Sequence, residues 1–136
     1  MSNVQLRQAL EVKLAAMVPN LSTAFENATF EPPAPDVPWQ EVNLIPATPD
    51  NAVLANNYYR EHGIFQVSLM YPLLTGSADA AARAAVMQTT FYRGLVLTKS
   101  GVIVTIETTP AIGPGFRDRD RWRVPVSVRY RAEITS

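Results

Sequence analysis

An α+β fold, with a mostly antiparallel sheet of about four strands and two helices packed on one face, is what this sequence predicts. Three observations carry it. Leu6, Leu10, Leu14 and Met17 recur at helical spacing, an Ala-rich stretch after Ser77 supplies a second helix, and Trp122–Ile134 alternates apolar and polar side chains. The chain has 136 residues, 47% of them apolar, which suits one domain over residues 1–136 with one core. Each half alone would be near the size at which a core needs disulfides or metals to hold it.

The first helix is capped by Ser2 or Asn3 and stopped by Pro19, with Arg7, Gln8, Glu11 and Lys13 largely off its apolar face. Between Ala24 and Pro49, prolines at 32, 33, 35, 38, 46 and 49 forbid a helix and leave room for short pieces of strand. Ala24–Asn27 reads as a short extended segment, followed by a Pro-rich crossing and a strand near Val37–Leu44. Pro46–Asn57 carries turn formers and reads as an exposed loop. His62–Tyr71 alternates Phe65, Val67, Leu69 and Tyr71 with Gln66, Ser68 and Met70, a strand that Pro72 and Gly76 end. Ser77–Arg93 is the second helix, with Ser77 as its cap, Gly94 closing it, and Val86 with Phe91 or Tyr92 as its larger packing groups.

Leu95–Thr98 and Val102–Thr108 flank Lys99-Ser100-Gly101, a hairpin turn. In the last strand, Trp122, Val124, Val126, Val128, Tyr130, Ala132 and Ile134 face the core, while Arg123, Pro125, Ser127, Arg129, Arg131 and Glu133 form an exposed basic face. Pro125 puts the early part of that strand at an edge or bulge. Pro110–Arg121, with its glycines, prolines and alternating charges, reads as a mobile connection, long for a hairpin and therefore a candidate for function. Trp39 and Trp122 are core or rim; pattern alone does not place them.

Formal net charge is zero, which argues against strong nonspecific nucleic-acid binding. The charge is unevenly spread: six acids against Arg60 from Val18 to Glu61, six arginines against three acids from Phe116 onward. Either the two stretches serve head-to-tail docking of copies, or they neighbour each other within one fold. The absence of cysteine excludes a disulfide framework and a thiolate metal site, and suits a reducing cytoplasm. Met1–Met17 interrupts its apolar residues with charges and does not read as a signal peptide. No apolar run reaches the roughly 18 residues that span a bilayer, so a soluble protein is expected, with no membrane partner.

Catalytic patterns are scarce, and the expectation is a protein that is not an enzyme. His62 is the sole histidine, so acid–base pairs and His-based metal cages would rest on it alone. Asp118 and Asp120 form a D-x-D, but their arginine neighbours compete with a cation. No P-loop or G-x-S-x-G elbow is present, and Gly113-Pro114-Gly115 has no helix behind it to bind phosphate. The basic outer face of the last strand is a poor platform for bases, because Tyr130 points away from Arg129 and Arg131. No cofactor or metal is expected. A pocket gathering Glu107, His62 and Glu41 would be needed to revive an enzyme or ligand binder. What remains is surface: Tyr58-Tyr59-Arg60 is of the residue types enriched at interfaces.

Taken in order, LRQALEVKLAAM, AFENATFEPP with WQEVNLIPA, REHGIFQVSLMYPLLTG before the Ala-rich helix, VTIETTPAIGPG and VPVSVRYRA resemble the tail-terminator (tail completion) proteins of long noncontractile-tailed bacteriophages and their prophage relatives. The resemblance spans nearly the whole chain. It implies a homo-oligomeric ring, a hexamer, that caps the tail tube, stops tube polymerisation and presents a surface for head joining. The implied partners are further copies, the tail tube protein and a head-completion or connector protein. The implied location is the host cytoplasm during assembly, then the head-proximal end of the virion tail. Loops that order on assembly would be Pro46–Asn57 and Ile112–Arg121. The residues expected at interfaces are Tyr58, Tyr59, Arg60, Arg117, Asp118, Arg119, Asp120, Arg121, Arg129 and Arg131. A head–tail connector or another minor tail protein is the alternative, with a small-ligand binder or enzyme behind it.

Overall fold

The computed structural model of the protein describes residues 2–18, 20–47 and 58–135. Helix α1 (Ser2–Ala15) forms where the leucine spacing places it, burying Leu6, Leu10 and Leu14, with Met17 just beyond. Its end tightens into an i→i−3 bond, Met17 N–H donating to Leu14 O at 3.1 Å. The extended segment expected at Ala24–Asn27 lies earlier, as β1 (Ser22–Ala24), parallel to β2 (Trp39–Pro46), and Glu26 and Asn27 form a turn after it. The proline crossing lies between them without regular structure, as missing N–H donors require. Most of the expected Pro46–Asn57 loop falls outside the described residues, though Pro46 itself closes β2. Tyr58-Tyr59-Arg60 opens β3 (Tyr58–Pro72), paired with Thr135, Ile134 and Glu133.

Helix α2 (Ala78–Thr90) follows. Ser77 stands at its N-cap position, but with φ −101° and ψ −4° its side chain makes no capping bond. Helical positions Ala80, Ala84 and Met87 face the core, so Val86 falls one residue out of phase and is exposed; Phe91 is the large buried group and Tyr92 is not. The helix ends at Thr90. Gly94, at φ +90°, turns the chain into β4 (Val96–Lys99) and donates its N–H to Ile106 O at 2.8 Å. Ser100 and Gly101, both at positive φ, make the expected hairpin turn into β5 (Val102–Ile106).

The connection expected to be mobile is laid down as two short strands, β6 (Ala111–Ile112) and β7 (Phe116–Asp118), both paired with β8 (Arg121–Thr135). Among the described residues the sheet therefore has eight strands, not about four, in the order β1-β2-β3-β8-β5-β4 with β6 and β7 also on β8. Strand β3 pairs β8 along its whole length on one side. On the other side β7, β6 and β5 follow one another along β8. Strands of two or three residues are too short to show alternation; they form because β2 and β8 offer them a ladder.

Both helices belong to one cluster with Val42 and Leu44 of β2, Phe65, Val67 and Leu69 of β3, Val102, Val104 and Ile106 of β5, and Val124–Ala132 of β8 at alternate positions. The Phe65 and Phe91 rings meet at 6.0 Å and 48°. Each such side chain, fully buried, contributes about 1.5–3 kcal/mol. This face holds the fold together and leaves recognition to the other face and the sheet's ends.

Candidate assembly surface

The outer face of β8 is less basic than its sequence. Arg121 is 3% exposed and donates to three carbonyls of the proline crossing: Val37 O at 2.6 Å, Ala34 O at 2.9 Å and Pro33 O at 3.2 Å. Arg123 is half-buried between Asp118 Oδ2 at 2.8 Å and Glu41 Oε1 at 2.9 Å, and also donates to Ser68 Oγ at 3.1 Å. Burial works against its charge, and the two carboxylates outweigh it. Arg131 lies 3.4 Å from Glu133, while Arg129 stays exposed. The exposed basic face expected from alternation is thus largely neutralised, because the crossing and the β7 hairpin return over it. Ser68 and Met70 are buried there, and Phe30 packs on Trp39 at 4.9 Å.

These contacts bear on the uneven charge. Glu41 of the acidic stretch binds Arg123 of the basic one, so the two meet within one fold, while Glu26 binds Arg7 of α1 at 2.7 Å. Asp118 of the D-x-D is spent on Arg123, Asp120 is exposed, and among the described residues no three of His, Asp and Glu converge on a metal position. The sequence missed these pairings because the partners are distant in the chain.

What stays exposed at this end is a different set. Arg117 and Arg119 stand on the β7–β8 hairpin, Arg119 in its turn at φ 55°. Phe116 is exposed beside them, and Leu74 is 92% exposed at φ 64° in the turn after β3. Leu73, Leu74, Gly76, Ser77, Arg117 and Trp122 line an open, mainly apolar notch of about 410 Å³. A left-handed leucine held out in water is unfavourable twice over, by backbone and by side chain. Leu74 and Phe116 were missed because they sit outside any periodic element. The signal was the Pro72-Leu73-Leu74-Thr75-Gly76 turn, an apolar pair between a proline and a glycine.

At the far end of the same sheet face, His62 Nδ1 approaches Glu107 Oε1 to 3.5 Å in an open pocket with Arg129, Ile45 and Ile64. Glu41 is not with them. It pairs Ser68, six positions along β3 from His62, a separation of roughly 20 Å. Arg60 is half-buried at the start of β3.

The core face of the sheet holds a second polar group. Glu61 is 7% exposed with Oε2 lacking a hydrogen bond among the described residues, and the buried Tyr130 hydroxyl also lacks one. Burial raises the Glu61 carboxyl; burial, reinforced by Glu61 and opposed by Arg7, pushes the Tyr130 phenol up to about 12. Because the folded state favours protonated Glu61, its ionisation removes stability as pH rises from about 4.5. Glu61→Gln is therefore expected to match wild type near pH 4 and exceed it by about 1 kcal/mol at pH 7–8. Urea unfolding across that range checks it; a constant difference at every pH would contradict it.

A family model described as phage tail terminator protein matches residues 5–130. The chain belongs to the phage tail terminator family. Membership gives this terminator-family chain a structural role in a phage tail, in contact with other tail or head proteins. A solved structure superposes with a TM-score of 0.77 at 29% identity, over 97% of this chain and 96% of that one. No curated protein matches the sequence. No helix among the described residues is long and apolar enough to cross a membrane.

Proposed function

We propose that this chain assembles into a homo-oligomeric ring, a hexamer, that caps the tail tube, ends its polymerisation and presents a surface for head joining. Its partners are then further copies, the tail tube protein and a head-completion or connector protein, and its place is the head-proximal end of the tail. The chain acts by binding, without catalysis. The observation that supports this reading best is the concentration of unspent recognition groups at one end of the sheet. Arg117 and Leu74 line one notch, exposed Phe116 and Arg119 stand on the same hairpin as Arg117, and the other arginines of that end are engaged inside the fold. Closed rings use heterologous contacts, in which one patch meets a different patch on the next copy. A mixed apolar and arginine patch suits that task. The Tyr58–Arg60 strand start and the Arg129–Arg131 end of β8 are the second candidate patch.

The test is Arg117→Ala with Arg119→Ala. Arg121 is left intact because it braces the crossing. The double variant is expected to unfold within about 0.5 kcal/mol of wild type and to yield overlong or ragged tails by electron microscopy. Tails of normal length would remove the hairpin from the capping surface. Normal tails lacking heads, in particles made without the protein, would instead indicate a connector.

A further inference from the structure

An open sheet ends in two edges, each with backbone N–H and C=O groups that another strand can take. Here the two edges differ. Strand β1 covers only Trp39–Glu41, so the outer edge of β2 runs on uncovered beyond Val42 to Pro46. Leu44 N–H points outward there, since it donates to Glu26 Oε1 at 2.6 Å. Alternation gives Val42 and Pro46 the same direction. Proline has no N–H, and the parallel register of Ala24 with Glu41 gives the Val42 N–H to Ala24 O, so the outward donor left on this stretch is that of Leu44, and Glu26 holds it.

The carboxylate is itself held. Arg7 Nη1, from α1, donates to the same Oε1 at 2.7 Å. Asn27, at φ 53°, turns the chain next to it, a conformation that asparagine tolerates better than most residues. Burial would raise the Glu26 carboxyl, but the Leu44 N–H and Arg7 outweigh it and hold it below the usual range. The guard is thus ionised at neutral pH.

The opposite edge has no such cover among the described residues. Strand β4 pairs with β5 alone. Leu95 O accepts from Ile106 N–H at 2.9 Å, so alternation points the backbone groups of Val96 and Thr98 outward. Both are exposed, and the strand contains neither proline nor acid.

We propose that Glu26 closes the β2 edge against the β4 strand of a second copy, and so stops sheets of successive copies from joining end to end. The matching row for an open β4 edge is another sheet edge of the same kind, and β4 onto β2 is the pairing that leaves a further β4 free. Such a head-to-tail contact is heterologous and need not close, so without the guard it grows into filaments. With the guard, strand addition ends at β4. The inference concerns the sheet edges and does not depend on the ring or on the hairpin patch.

The experiment compares the purified full chain with Glu26→Ala by sedimentation velocity over a hundredfold range of concentration at neutral pH. The variant is expected to form concentration-dependent assemblies larger than any of wild type. In dilute solution its Leu44 amide should exchange at least tenfold faster. Adding Thr98→Pro, which removes an outward donor from β4, should return the wild-type distribution. A folded Glu26→Ala chain that sediments as wild type does overturns the proposal, as does growth that persists with Thr98→Pro. Should Glu26→Ala fail to fold, Arg7→Met leaves the carboxylate but removes its anchor. Intermediate growth with faster Leu44 exchange then supports the guard, and wild-type behaviour in both overturns it.

Discussion

Arg121→Ala is expected to lower the unfolding free energy by about 3 kcal/mol, a loss of roughly 10 °C in Tm for a domain of this size. Arg121 is 3% exposed and among the described residues its guanidinium meets no carboxylate; its charge is balanced by three carbonyl dipoles, those of Pro33, Ala34 and Val37. Hydrogen bonds to a charged group contribute about 1.5–3 kcal/mol each. The full sum is not expected, for two reasons. The variant also sheds the cost of burying a charge, and Ala34 and Val37 lie at the surface, where water can replace part of the contact. The proline crossing should loosen in consequence. Val37 N–H donates to Ala34 O at 2.9 Å, the same oxygen Arg121 binds, so its amide exchange should rise together with the loss of stability. Arg121→Lys should recover less than half, because one ammonium cannot span three separated carbonyls. Unfolding indistinguishable from wild type would show that the crossing holds itself in place.

That brace also marks where the sequence was legible and where it was not. Helix α1, β3 and β8 are visible because their periodicity extends over many residues and matches the face each one buries. The turn at Ser100-Gly101 is visible because positive φ at both positions favours few residue types. Strands β6 and β7 are not visible, since their pairing is supplied by β8 and not by their own two or three side chains. Gly113 and Gly115 read as turn formers, yet each lies where a Cβ would press on β8: 2.8 Å from Pro125 Cγ, and 2.6 Å from Trp122 Nε1. Glycines that allow close approach and glycines that allow a turn look alike in sequence.

Charge misled in the same way. Arg117 to Arg123 forms one alternating run in the chain, but folding sends its members to different tasks. Arg121 turns to backbone, Arg123 to Asp118 and to Glu41, which is 82 residues away, and Arg117 and Arg119 to solvent. One signal was available: a segment with prolines at 32, 33, 35 and 38 keeps its carbonyls while losing N–H partners, so donors must arrive from elsewhere. A buried arginine is the donor with the reach and number of N–H groups to meet that demand.

Gly63→Ala is expected to cost about 3 kcal/mol or more, the upper range for overpacking. Gly63 sits in the middle of three strands, opposite Pro46 of β2 and Tyr130 of β8. A Cβ there would press on the Tyr130 hydroxyl and come within 2.7 Å of Tyr130 Cζ and 2.6 Å of Ile45 O. Neither neighbour gives way cheaply. Tyr130 is fully buried, so its ring has no exit to solvent, and Ile45 O is backbone within a paired strand. Relief must come from moving β2 or β8 relative to β3, which disturbs the ladder that orders the open half of the outer face. Tyr130→Phe in the same chain separates the two contacts. It removes the hydroxyl but leaves the ring carbon and the Ile45 oxygen, so it should recover a minority of the loss. Denaturant unfolding of the two single variants and the double measures that coupling directly. A Gly63→Ala chain within about 0.5 kcal/mol of wild type would mean that β2 shifts freely, and that the register of this edge is not fixed by the close approach at Gly63.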